Sequence, residues 1–219
     1  TPTAASDVFA IDGETDTSPT PPSYNSGFPV DLGLFRRNVS GSDSWYVFDR
    51  LRGNTQGLIT NATDAEQNLG GAVYALDRND GVGTYTGTAY PNAYAWMWKR
   101  ARGYFDIVTT KSTNGNVNHN LGVVPEMVWY KRRSGADDWF VCTATDGYLF
   151  LNQNARNQGY GNGSYLTNAY GAQATSTTVN TGYNFTGVTT ADMVIYLFAT
   201  VSGVSKVGSF TQSGATNVD

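Results

Sequence analysis

The chain has 219 residues, a formal net charge of −4 and a single cysteine, with 15% charged and 13% aromatic side chains. One cysteine excludes an intrachain disulfide framework, the acidic balance argues against a non-specific polyanion binder, and no apolar run approaches the ~20 residues that span a bilayer. Low charge with many Tyr, Thr, Gly and Asn points to short strands joined by tight turns.

Residues 1–27 are rich in Thr, Ser, Pro and Asp, with Pro19, Pro21 and Pro22 close together. They read as an extended arm or connector in which only Val8-Phe9-Ala10-Ile11 could form a strand. Strands follow at Val30–Arg37, Trp45–Arg50 and Gly57–Asn61. The polar stretch Asn61–Asn68 suits a single helical turn, Ala72–Leu76 a strand, and Asp77-Arg-Asn-Asp-Gly81 a turn. Tyr94–Trp98 and Tyr104–Thr109 close this first set.

A second set repeats the first. Pro29, Trp45 and Asn61 return as Pro125, Trp139 and Asn152, at offsets of 96, 94 and 91 residues. Its strands are expected at Met127–Arg133, Asp138–Thr143, Tyr148–Asn152, Ser176–Asn180, Asp192–Thr200 and Lys206–Phe210. Phe210 echoes Phe105, and the polar tail after it echoes Lys111–Asn118. Strands this short, with turns every eight to twelve residues, describe an all-β fold of tandem antiparallel β-sandwich modules. The expected division is an arm at 1–27, module 1 at 28–110, module 2 at 111–211, and the start of a truncated third module at 212–219. Met127–Tyr130 and Met193–Phe198 are apolar on both faces, so one face packs inside its module and the other against a neighbour, or both lie in a central strand. Core duty is expected of Trp45 and Trp139, and Cys142, in the slot of Phe48, is expected to be a buried apolar position.

Chemistry is sparse. The single histidine, His119, has no Gly-x-Ser-x-Gly elbow to activate and reads as part of a turn before the Pro125 strand. One His and one Cys exclude a His/Cys metal site. Asp12–Asp16 and Asp77–Gly81 carry alternating oxygens but no closing Glu, so they read as turns. Asp43 and Asp137-Asp138 precede the Trp strands, where turns recruit Asp anyway. The basic clusters Arg36-Arg37, Lys99-Arg100-Ala-Arg102 and Lys131-Arg132-Arg133 read as solvated strand ends. No catalytic, cofactor or metal residue is expected. The one recognition-like segment runs from Gly159 to Tyr170, where Tyr160, Asn162, Tyr165, Asn168 and Tyr170 combine aromatic faces with amides suited to a protein or sugar surface, or equally to an inter-module loop whose Tyr rings bury against the next subunit. Tyr85, Tyr90 and Tyr94 offer a similar mixture in the first copy.

The phrases Gly103-Tyr-Phe-Asp-Ile-Val-Thr109, Asn118-His-Asn-Leu-Gly-Val-Val-Pro125, Asp138-Trp-Phe-Val141, Leu149-Phe-Leu-Asn152 and Tyr196-Leu-Phe-Ala199 resemble a family of repeat-bearing, tail-fibre-like phage virion proteins from viruses of aquatic bacteria. The likeness covers most of residues 94–211. Residues 28–76 depart from it, lacking the His-Asn-Leu-Gly lead-in. The resemblance implies a non-enzymatic virion protein without cofactors, acting as a tail fibre or receptor-binding appendage, with a capsid decoration or neck protein as the alternative and a carbohydrate-active enzyme behind both. Implied partners are other virion proteins, further copies of the chain as a homotrimer, and a host surface glycan, with no nucleic acid and no membrane.

Overall fold

The computed structural model describes residues 1–14, 22–37, 43–69, 74–84, 93–111, 115–143, 148–153, 156–157, 174–181 and 190–208. The fold is all-β. Among the described residues there is no α-helix, and the one helical element is a short 3-10 turn at Ala5–Asp7. The first eight strands are β1 (Phe9–Glu14), β2 (Tyr24–Asn25), β3 (Leu32–Arg37), β4 (Trp45–Asp49), β5 (Gln56–Ile59), β6 (Gln67–Asn68), β7 (Gly81–Val82) and β8 (Ala93–Trp98). The next eight are β9 (Phe105–Thr110), β10 (Asn116–Asn118), β11 (Met127–Arg132), β12 (Phe140–Thr143), β13 (Tyr148–Phe150), β14 (Arg156–Asn157), β15 (Thr178–Asn180) and β16 (Met193–Phe198).

Two six-stranded antiparallel sheets carry the fold. Their spatial orders are β1-β8-β3-β4-β5-β6 and β9-β16-β11-β12-β13-β14, so adding eight to each label of the first gives the second. The small pairs β2-β7 and β10-β15 follow the same rule. The repeating unit is therefore eight strands long. Registers agree residue by residue: Trp98 lies opposite Leu32 and Phe9, as Phe198 lies opposite Met127 and Phe105.

These pairings shift the expected boundaries. Residues 1–27 are not simply an arm, because β1 pairs along its whole length with β8, and β2 pairs with β7. The stretch expected to close the first module is β9, which pairs with β16 at the edge of the second sheet. In both units the opening strand pairs with the closing one, so neighbours in sequence part company between β8 and β9. The connector between them is a tight turn in which Ala101 bridges Phe105 and Gly103 takes φ +77°, a left-handed conformation that costs glycine little. The same turn leaves the second unit, with Val201 bridging Ser205 and Gly203 at φ +75°. It aligns Ser205, not Phe210, with Phe105. Residues 206–208 form no strand, and the expected third-module start at 212–219 lies outside the described residues.

Two other expectations change. Asn61–Asn68 forms no helical turn; the segment runs as turn and extended chain into β6. Of the expected strand Ala72–Leu76, residues 74–76 are described, and among them only Ala75 makes a bridge, to Gly83.

Apolar side chains form three layers. Ala93, Ala95 and Met97 of β8 join Tyr24, Phe35, Phe48, Tyr74 and Val82 on the outer side of the first sheet. Met193, Ile195 and Leu197 of β16 do the same with Val128, Tyr130, Cys142 and Val179 on the outer side of the second. The middle layer lies between the sheets and holds Leu32, Val47, Leu58, Phe105, Ile107, Trp139, Val194, Tyr196 and Phe198. All six residues of β16 are buried, odd ones outward and even ones inward, as period-two alternation requires. The two-sided apolar strands are thus satisfied within one chain: the neighbour across the inner face is the other module.

Candidate functional site

The ionisable side chains gather at one edge of the middle layer, where the loop after β5 meets the hairpin between β11 and β12. The turn after β4 folds Arg52 back, so that its Nε donates to the Asp49 carboxylate, which also accepts from the Tyr196 hydroxyl at 2.7 Å. Arg52 Nη1 then donates to Glu66 at 2.9 Å, and Arg133 of the second module grips the same carboxylate through two bonds of 2.8 Å. Acid and base alternate along the chain Asp49, Arg52, Glu66, Arg133, with Asp49 and Arg52 fully buried. Backbone bonds fasten the same edge: Glu66 N–H donates to Arg133 O and Asp137 N–H to Thr63 O. Lys131, also fully buried, donates to Thr63 O at 3.0 Å and Asp137 O at 2.7 Å. Trp139 donates its indole N–H to Ile59 O at 2.8 Å.

The titrations here follow from this packing. Burial opposes the charge on Arg52, but Tyr196, Asp49 and Glu66 more than restore it, so the guanidinium is held above its ordinary value. Burial would raise Glu66, yet hydrogen bonds from Arg133 and Arg52 outweigh it and hold the carboxyl below its usual range. Burial pushes Lys131 down to about 8 despite Asp137, Asp138 and Asp64 nearby. In the unfolded chain this lysine titrates near 10.5, so between those values the unfolded state binds more protons and stability rises with pH. The Cys142 thiol, raised by burial, titrates in the unfolded chain with the opposite sign. In a Cys142→Ala background, urea unfolding is therefore expected to show a gain of about 1 kcal/mol between pH 8 and 9. Adding Lys131→Met should flatten it; a flat profile without that change would show that Lys131 keeps its proton.

At the matching end of the first sheet the same inner face is open. Trp45 and Trp96 meet at 5.0 Å between ring centroids, Tyr94 and Trp96 at 6.4 Å, and the Arg36 guanidinium lies 4.9 Å from the Trp45 centroid. The Tyr94 ring covers Gly13, where a Cβ would come within 2.9 Å of it. Tyr94 and Ile11 are 46% and 56% exposed.

The sequence-derived candidates distribute as follows. Tyr160, Asn162, Tyr165, Asn168 and Tyr170, with Tyr85 and Tyr90, lie outside the described residues. His119 is buried and bonded to backbone through both ring nitrogens: Nδ1 accepts from Leu121 N–H and Nε2 faces Thr175 O. Burial holds it below its ordinary value, so the neutral ring fits this place in the turn. Cys142 is buried in the outer layer. Asp12, expected in a turn, lies in β1 and accepts from the Gly13 backbone N–H and, across to β2, from that of Asn25, while Asp80 pairs with Arg78 in a turn. Asp138 accepts from Asn152 and Gln153 side chains. Among the described residues no three His, Cys, Asp or Glu side chains come together as a metal would need.

Two of the basic clusters are not simply solvated strand ends, although Arg102 is exposed. Lys131 is sealed, Arg133 is paired with Glu66, and Arg100 is paired with Asp106 at 2.6 Å, because each lies where module meets module or strand meets turn. Trp45 is half-buried where full core duty was expected, while Trp139 is sealed. A shallow groove of about 600 Å³ beside Pro2, Gly103 and Val123 is lined by no carboxylate, imidazole or lysine side chain. Sequence reading missed the seam, since Glu66 meets Arg133 only across 67 residues of chain and no local spacing announces the pair.

The family described as a domain of unknown function (DUF7483) matches residues 8–219. Its first matched residue immediately precedes β1, and the match spans both eight-strand units. No curated protein and no solved structure matches the chain.

Proposed function

The chain belongs to the DUF7483 family, and from that premise we propose that it is a structural protein of a bacteriophage particle, a tail fibre or receptor-binding appendage. The observation that supports this reading is the duplication itself: one eight-strand unit used twice in the same strand order and fused through a shared core and an ionic seam. Repetition of one self-similar unit extends a surface at constant stiffness, which suits an appendage. The perturbed side chains at the seam are engaged in bonds that hold the modules together, so they favour a scaffold over an enzyme. Its proposed partners are other virion proteins and a host surface glycan, the latter through Tyr160, Asn162, Tyr165, Asn168 and Tyr170.

Immunogold labelling of purified particles with antibody raised against residues 8–219 tests the reading. Label on the tail, with the free protein blocking phage adsorption to its host, is the expected result. Label confined to the capsid would favour decoration. Absence of the chain from particles, or release of reducing sugar ends from host polysaccharide by the purified protein, would overturn it.

A further inference from the structure

The inner face of each six-stranded sheet carries the same set of positions at the same end. They are a cation on the third strand of the unit (Arg36, Lys131), a tryptophan after the following turn (Trp45, Trp139), and an aromatic on the closing strand (Trp96, Tyr196). In the second module all three are sealed: the 59–66 loop of the first module engages the lysine and the tryptophan, and Asp49 takes the hydroxyl of Tyr196. The tryptophan and the lysine each donate to a backbone carbonyl of that loop, Ile59 O and Thr63 O. In the first module the corresponding Arg36, Trp45 and Trp96 are half-buried, beside exposed Tyr94 and Ile11.

The covering loop also has a counterpart. Phe150 stands opposite Phe140 as Ile59 stands opposite Tyr46, and the next residue, Leu151, donates to Trp139 O as Thr60 donates to Trp45 O. Asn152 then caps the Trp139 N–H as Asn61 caps that of Trp45. In the first module this loop is used up in the seam. In the second, Leu151 is 40% exposed. One chain thus holds a used receptor and loop at its centre, an open receptor on its first module and an open loop on its second.

We propose that the aromatic end of the first sheet (Ile11, Arg36, Trp45, Tyr94 and Trp96) is a docking surface for the Phe150–Gln153 segment of a second copy of this chain. Chains then join head to tail by repeating between molecules the contact that joins the two modules within one. Donor and receptor sit on different modules, so the contact is heterologous and extends instead of closing as a two-fold dimer. Aromatic and arginine side chains are the residues that interface cores enrich, and backbone carbonyls suit the Arg36 guanidinium and the indoles as acceptors. The contact continues a face already used between modules, and it does not depend on where the protein works.

Sedimentation velocity across a concentration series tests this, up to about 100 μM for a contact of such small area. The wild-type chain is expected to grow past a dimer as concentration rises. Trp45→Ala/Trp96→Ala, which loses the receptor, and Leu151→Asp, which loses the loop, should each remain monomeric. Mixed together, they retain one good receptor and one good loop, and should form a one-to-one dimer that grows no further. A wild-type chain that stays monomeric, or assembly that neither variant affects, would overturn the proposal. So would a monomeric chain whose exposed tryptophans are quenched by oligosaccharides, since the face would then be a sugar platform. Should the double tryptophan variant fail to fold, Leu151→Asp at an exposed position with wild-type chain still decides: it should cap growth at the end it reaches.

Discussion

Replacing Arg52 with Met is expected to lower the free energy of unfolding by about 3–5 kcal/mol, measured by urea denaturation at neutral pH. The loss comes less from the bond removed than from what stays behind. Asp49 is fully buried, and without the guanidinium its carboxylate keeps only the Tyr196 hydroxyl and the backbone N–H of residue 52. An uncompensated buried charge is costly, whereas Glu66 at the other end of the network retains both bonds from Arg133. The double variant Asp49→Asn/Arg52→Met removes the stranded charge and keeps an acceptor for Tyr196. It should recover a good part of the loss, so the two single effects will exceed their combination. A cost below about 1 kcal/mol for Arg52→Met, the level of a surface pair, would show that water reaches Asp49.

The two equivalent tryptophans should respond very differently to truncation. Trp139→Ala is expected to cost about 3–5 kcal/mol, since it opens a large cavity in the middle layer and strands the Ile59 carbonyl. Trp139 is completely sealed, stacks on Tyr196 with ring planes 15° apart, and joins the two modules through its indole N–H. Trp45→Ala removes a half-buried ring whose neighbours are Trp96 and the Arg36 guanidinium, and about 1–2 kcal/mol is expected from the smaller area returned to water. Denaturation midpoints of the two variants side by side provide the check. Equal costs would refute the difference in their surroundings.

That pair also marks how far the sequence could be read. Trp45 and Trp139 stand in near-identical local settings, each N–H capped by an Asn and each followed by an apolar strand. Local pattern therefore located both strands and the duplication, and it placed Cys142 in a core. It could not separate the burial of the two rings, because what differs is a carbonyl 80 residues away in the other module. Lys131-Arg132-Arg133 was misread for the same reason. A run of cations near a strand end looks solvated until a distant loop brings carbonyls and a carboxylate over it. Strand β1 was legible only as the short run Val8–Ile11; its extension through Asp-Gly to Glu14 and its place in the first module are set by pairing with β8. The recognition segment at Tyr160–Tyr170 was legible only as composition.

The closure of each module by its own first and last strands has a mechanical consequence. Phe9 lies opposite Trp98 and Phe105 opposite Phe198, so the chain enters and leaves each module at neighbouring points of one antiparallel ladder. Tension applied along the polypeptide would act on those closing pairs first and peel the strands apart one bond at a time, without loading the ladder in shear. The aromatic contacts Phe9–Trp98 and Phe105–Phe198, at 5.0 and 4.9 Å, sit at the points where such peeling begins. Resistance to pulling, a property of the unfolding rate, would then rest on two pairs of rings acting as clasps, while the seam and the middle layer bear load only after a clasp has given way.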